Sequence, residues 1–114
     1  MPPGFIDPRQ FLGPAVPRWL LARKEISAGA KLLYSYLANS THLDEQTQGC
    51  AATEFEQDQL AGAIGASERS IRNWLRELEN QRLIRQVVLG WGRANHYWFL
   101  KHPWQGRLNG NDRR

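Results

Sequence analysis

The feature that most constrains the fold of this chain is a pair of short apolar stripes separated by a glycine. The stripes comprise Leu60, Ala61 and Ile64, and then Ile71, Leu75 and Leu78. Their spacing places the members of each stripe on one face of a helix. Between the stripes, Gly65 can adopt the left-handed conformation that ends a helix, and Ser67 is a favoured N-cap residue. The stretch therefore predicts two helices joined by a tight turn.

A β-hairpin is predicted directly after the second helix. Residues 83–89 and 96–100 are rich in β-branched and aromatic side chains, and Gly90-Trp91-Gly92 lies between them. We expect residues 50–55 to form a further short strand, because Phe55 lies off the apolar stripe of the helix that follows. Thr53 and Glu56 could instead form a capping box that starts this helix earlier.

One longer amphipathic helix is predicted upstream. Ser27 is a suitable N-cap, and apolar residues follow at helical spacing until the pattern fades near residues 39–41. These apolar residues are Ala30, Leu33, Tyr34 and Leu37. Pro17 favours a short preceding helix from Arg18 to Lys24, because proline is favoured in the first helical turn. The polar residues 42–49 are expected to form a loop.

The chain is expected to form one domain between residues 17 and 104. Residues 1–16 contain four prolines and two glycines, so no regular element is expected in this N-terminal arm. We expect the apolar residues of the arm to pack either on the domain or on a second copy. They are Phe5, Ile6, Phe11 and Leu12. Residues 105–114 are polar and are expected to form a flexible tail.

The charge balance favours an anionic partner. The 114 residues carry a net charge of +4, and only three of the 15 basic residues are lysines. Arginine suits forked contacts with phosphate and guanine. The single cysteine, Cys50, fits a reducing cytoplasm, and no apolar run has the length of a membrane span. The histidines lack metal-ligand spacing and no phosphate-binding loop occurs, so we expect neither catalysis nor a cofactor or metal site.

Two segments resemble known modules. Residues 60–84 are similar to the pattern of bacterial winged helix-turn-helix regulators. They read L-A-G-A-I-G-A-S-E-R-S-I-R-N-W-L-R-E-L-E-N-Q-R-L-I. Residues 17–37 resemble the first helix of winged-helix modules in plasmid and phage replication proteins. They read P-R-W-L-L-A-R-K-E-I-S-A-G-A-K-L-L-Y-S-Y-L. The resemblance implies an α+β winged helix-turn-helix with three main helices and a two- or three-stranded antiparallel wing sheet.

The function implied by this resemblance is the binding of double-stranded DNA, with a preference for particular sequences. The expected setting is the bacterial cytoplasm, at the nucleoid or on a plasmid. The expected role is that of a small transcriptional regulator, or of a replication- or partition-associated factor of a plasmid, phage or mobile element. A fold does not fix a function. The rival hypothesis is a winged-helix adaptor that binds other proteins and does not use its basic face for DNA.

The outward face of the second helix carries the predicted DNA contacts. The resemblance implies that base edges are contacted by Arg69, Asn73 and Glu68, since arginine fits the acceptors of guanine and asparagine fits adenine. Phosphate contacts are expected from Ser67, Ser70, Arg72 and Arg76. Contacts from the wing are expected from Arg93, Asn95 and Trp91. The alternative is a solvated helix face on which Arg72 pairs with Glu68, four residues earlier.

A homodimer is expected on DNA, because one recognition helix reads only a few base pairs. The predicted dimer surfaces are the apolar residues of the N-terminal arm and the segment His102-Pro103-Trp104. Alternatively, both segments fold back on the first helix and complete the core. Other proteins of the same DNA-bound complex are further candidate partners.

Overall fold

The computed structural model of the chain describes residues 3–13, 15–44, 50–88 and 95–106. Within them, four α-helices and four β-strands form the fold. The helices are α1 (Arg18–Leu21), α2 (Ala28–Ala38), α3 (Gln57–Ile64) and α4 (Glu68–Asn80). The strands are β1 (His42–Asp44), β2 (Cys50–Phe55), β3 (Ile84–Val87) and β4 (Asn95–Phe99). The α+β winged helix predicted from the sequence is confirmed, with α2, α3 and α4 as its main helices.

The tight turn between α3 and α4 is formed as predicted. α3 ends at Gly65, whose φ of 75° lies in the left-handed region that glycine adopts without strain. The Gly65 N–H donates to the carbonyl of Ala61 at 2.9 Å. Ser67 caps α4, because its Oγ accepts a hydrogen bond from the Ser70 N–H at 3.0 Å. The two helices therefore meet at a corner that local residues determine.

Glu56 is the boundary between strand β2 and helix α3. The strand extends to Phe55, and Glu56 is the N-cap of α3. The Glu56 N–H donates to the side-chain oxygen of Gln59 at 2.8 Å, which satisfies one of the free donors at the start of the helix. The strand predicted for residues 50–55 is confirmed, and the earlier helix start at Thr53 is not formed.

Helix α1 is shorter than the predicted span from Arg18 to Lys24. It ends at Leu21, and the chain turns before α2 begins. Leu20 and Ile26 are both buried in the core. In one continuous helix, residues six apart would lie about 120° apart around the axis, and the turn after Leu21 allows both side chains to face the core.

The four strands form one antiparallel sheet in the order β1-β2-β4-β3. The sheet has one strand more than the sequence predicted, because residues 42–44 are not part of a loop. His42 pairs with Ala52 and Asp44 with Cys50. Three residues are too few to show an alternating apolar pattern, and their pairing follows from the backbone groups that β2 offers along its outer edge.

The arm also contains one regular turn that the sequence did not predict. Pro8–Phe11 forms a 3-10 helix. Asp7 caps this helix, because its Oδ1 accepts from the Arg9 N–H at 3.0 Å. Proline is compatible with a first helical turn, so the breaker composition of residues 1–16 does not exclude a single turn.

The core lies between the helices and one face of the sheet. Its most buried large residues are Leu20, Leu33, Leu37, Leu60, Ile71, Leu75, Leu78, Leu83, Ile84 and Tyr97. α4 packs against both α2 and α3, and Tyr97 of β4 closes the core from the sheet. None of the described helices is long and apolar enough to cross a membrane.

The N-terminal arm and the segment that follows β4 differ in how they pack. A 3-10 helix, Pro103–Gln105, brings Trp104 against the core, and the Arg23 guanidinium lies 4.5 Å from the centroid of the Trp104 ring. His102 Nε2 donates to the Gln81 carbonyl at 2.8 Å. The C-terminal segment thus folds back and completes the core, which was the alternative to its role as a dimer surface. The arm does not, since Phe5, Ile6, Phe11 and Leu12 are each at least 65% exposed.

Candidate nucleic-acid interface

Helix α4 presents two chemically different faces. Ile71, Leu75 and Leu78 are buried, and Leu75 is only 1% exposed. Arg69, Asn73 and Arg76 are exposed and follow one another at spacings of four and three, which places them in one row on the opposite face. The rotation of the helix predicted from the sequence is therefore confirmed.

The start of α4 holds three further predicted contact residues besides Arg69. Ser67 and Glu68 are exposed, and Ser70 is half-buried. The Ser67 hydroxyl is engaged in the helix cap, and its Oγ lies 3.1 Å from the Oγ of Ser70. Ser67 and Ser70, two of the residues predicted to contact phosphate, thus lie at a helix N-terminus, where a negative charge is favoured.

The arginines of the outward face are not neutralised by nearby carboxylates in the part of the chain that the structure describes. The ion pairs found there join Asp7 to Arg9 and Glu54 to His96. The pairing of Glu68 with Arg72, which was the alternative to a DNA-facing surface, is not formed. Within the described residues, no carboxylate therefore competes with an outside partner for the guanidinium groups of α4.

Arg72 and Arg76 lie at the edge of a small cleft between α4, the start of α3 and the sheet. The cleft has a volume of about 150 Å³ and is also lined by Gln57, Glu79 and Gln86. Gln86 belongs to β3, so both arginines lie on the side of α4 that faces the wing. Arg69 and Asn73 do not line this cleft.

A helix-turn-helix family model matches residues 24–84, which is more than half of the chain. The chain belongs to the helix-turn-helix domain family. The match includes α2, the α3–turn–α4 unit and the first residue of β3, so it contains every predicted contact residue of α4. It ends at the first residue of the wing hairpin. In DNA-binding helix-turn-helix proteins, the second helix of the motif lies in the major groove.

Solved structures support the same fold for this helix-turn-helix protein. One, titled "Structure of Rep-DNA complex", superposes with a TM-score of 0.66 at 15% identity and covers 82% of this chain and 78% of the other. A second, titled "N-Terminal domain of DNA binding protein", gives a TM-score of 0.60 at 14% identity over the same shares. No curated protein matches the chain.

The wing of this helix-turn-helix protein is described only at its base. Arg93 and Trp91 lie outside the described residues. Asn95 is half-buried and is the first residue of β4, where it pairs with Phe55 instead of lying at the hairpin tip. Of the three predicted wing contacts, only Asn95 can therefore be placed.

Two glutamates of α4 form contacts that the sequence did not predict. Glu79 Oε2 accepts from the backbone N–H of Gln86 at 3.1 Å, and the Glu77 carboxylate accepts from Ser27. Burial raises the pKa of the adjacent Tyr97 phenol above its usual value, and the negative charge of Glu79 raises it further. No local pattern marks these partners, because Ser27 and Glu77 lie 50 residues apart in the chain.

Proposed function

We propose that this helix-turn-helix protein binds double-stranded DNA with a preference for particular sequences, using the outer face of α4. The observation that carries the proposal is the exposed row of Arg69, Asn73 and Arg76 on a helix whose other face is buried in the core. A rigid helix with forked donors on one side matches the dimensions and the acceptor pattern of the major groove.

We assign the roles of the contact residues by the docking mode of helix-turn-helix proteins. Arg69 and Asn73 contact base edges, with Glu68 as a third contact, because they project from the N-terminal half of α4. Phosphates are contacted by Ser67, Ser70, Arg72 and Arg76. In the wing, Arg93, Asn95 and Trp91 contact the DNA beside the groove.

The biological role we propose is that of a replication-associated factor of a plasmid, phage or other mobile element. It is supported by the similarity in fold to the protein of the Rep–DNA complex. At 15% identity that similarity concerns the fold alone. Regulation of transcription and partition of a plasmid are the other roles for which the same DNA-binding surface would serve.

We propose further that the protein binds DNA as a homodimer. Support comes from the arm, whose Phe5, Ile6, Phe11 and Leu12 remain exposed in the single chain. Exposed apolar groups of this kind mark interaction surfaces. Two copies would double the length of the site, and their half-sites would lie about one helical turn of DNA apart.

Selection of bound fragments from random duplex DNA tests this function. We expect a short common sequence to be enriched, and binding to weaken steeply as salt rises, because arginines displace counterions from phosphates. An adaptor that leaves its basic face unused would enrich no sequence. Arg18→Ala is the matched control for arginine-to-alanine variants of α4. It removes one exposed positive charge, but from α1.

A further inference from the structure

We propose that Glu77 and Trp74 are positioning residues for DNA recognition. They fix α4 on the first turn of α2 and so determine the direction in which Arg69 and Asn73 project. This inference rests on the proposed DNA-binding function and adds two residues that do not themselves contact DNA.

The contact of Glu77 with α2 is made through both carboxylate oxygens. Oε2 accepts from the backbone N–H of Ser27 at 2.5 Å, and Oε1 accepts from the Ser27 hydroxyl at 2.7 Å. Ser27 is the N-cap of α2, where the helix dipole is positive. One hydrogen bond alone would allow the Glu77 side chain to rotate. Two bonds from a charged acceptor to one residue fix the side chain and so limit rotation of α4 about its axis.

Trp74 makes the second contact of the same surface, one helical turn before Glu77. A Cβ atom on Gly29 would lie 2.1 Å from two ring carbons of Trp74, so the indole packs directly against the backbone of α2. Side chains that touch a glycine at this range leave no room for the two helices to slide. A polar clamp and an apolar contact thus hold α4 at adjacent points of α2.

The position of α4 matters for base recognition because hydrogen bonds to base edges tolerate little displacement. Side-chain atoms lie about 5–6 Å from a helix axis, so a rotation of about 20° moves them by about 2 Å. A displacement of this size breaks a bidentate contact to one base. It has less effect on contacts to phosphate, which long arginine side chains make over a range of positions.

A different account of Glu77 predicts the opposite result. If its carboxylate acted on DNA only as a negative charge close to phosphates, its removal would tighten binding to every duplex. If Glu77 positions α4, its removal weakens binding to the selected sequence and leaves binding to a scrambled duplex unchanged or slightly tighter. The ratio of the two affinities therefore separates the two accounts.

The experiment measures this ratio by fluorescence anisotropy for Glu77→Ala, Glu77→Gln and Gly29→Ala in the full chain. We expect Glu77→Ala and Gly29→Ala to lower the ratio about tenfold. Glu77→Gln should keep most of the ratio, because an amide oxygen still accepts from Ser27. The controls are Glu25→Ala, which removes an exposed acid close to Ser27, and Gly62→Ala, since a Cβ on Gly62 meets no atom within 4 Å. Both should leave the ratio unchanged.

The folding of each variant is checked by circular dichroism at the temperature of the assay. If Gly29→Ala does not fold, the two Glu77 variants still decide the proposal. A folded Glu77→Ala protein that keeps the ratio of the parent, or binds both duplexes more tightly by the same factor, would overturn it.

A readout without DNA separates this inference from the proposed function. In the free protein, a hydrogen bond to a carboxylate shifts the Ser27 amide proton downfield, and we expect Glu77→Ala to reverse this shift. An unchanged Ser27 resonance would overturn the contact itself. A parent protein that shows the Ser27 shift but binds no duplex would overturn the proposed function while leaving the clamp between α2 and α4 intact.

Discussion

The inner and outer faces of α4 differ in what surrounds their side chains. On the inner face, Ile71, Leu75 and Leu78 are enclosed by α2, α3 and the sheet. On the outer face, the side chains of Arg69, Asn73 and Arg76 are exposed and form no ion pair within the described residues. The free energy that holds α4 in place therefore comes from one side and its capacity to bind from the other. Substitutions on the two faces should consequently change different measured quantities.

The largest expected effect is on stability and comes from the inner face. Leu75→Ala removes a buried side chain and leaves a cavity, which should lower the free energy of unfolding by about 2–5 kcal/mol. Urea unfolding followed by circular dichroism measures this change. If the variant unfolded like the parent protein but lost DNA binding, Leu75 would belong to the outer face and the comparison would be wrong.

The next largest effect is on specific binding and comes from the outer face. Arg69→Ala and Asn73→Ala should each weaken binding to the selected duplex by about 1–3 kcal/mol and reduce the preference at one base position. Both side chains are exposed, so the unfolding transition should hardly change. A uniform loss of affinity for all sequences would show that these two residues contact phosphates instead of bases.

Arg76→Ala should have a smaller and less selective effect. Loss of one phosphate contact weakens binding to all duplexes by a similar factor and lowers the slope of log affinity against log salt by about 1. Titrations at several salt concentrations measure the slope. A change in sequence preference with an unchanged slope would move Arg76 to the group of base contacts.

The smallest effect is expected at the wing. Arg93→Ala should lower the affinity for any duplex without unfolding the domain, because the predicted wing tip contacts the DNA backbone. Circular dichroism and a binding titration on the same sample check both halves of this statement. Unchanged affinity at low salt would remove Arg93 from the interface.

The sequence predicted those features of α4 that depend on neighbouring residues. Gly65, Ser67 and the Ile71–Leu75–Leu78 stripe determine a helix end, a helix start and a buried face through contacts within one or two turns. β1 could not be predicted in this way, since its pairing depends on the edge of β2. The Ser27–Glu77 contact was likewise not predictable, because it joins residues that only the complete fold brings together.

The two chain ends illustrate the same limit. Both carry apolar residues outside the predicted helices. For both, composition alone allowed either packing on the domain or contact with a second copy. Trp104 packs on the core, with the Arg23 guanidinium over its ring, whereas the apolar side chains of the arm remain exposed. The role of the arm therefore remains a prediction, to be tested by deleting residues 1–14 and measuring the mass of the complex by light scattering.

The central claim is that the outer face of α4 contacts DNA. It is tested most directly by titrating the isotopically labelled protein with the selected duplex and following its backbone amide resonances. We predict that the largest shifts occur at residues 67–76, with smaller shifts in the wing and little change at the buried residues of α2. Shifts confined to the arm, or no shifts in α4 at low salt, would contradict the account.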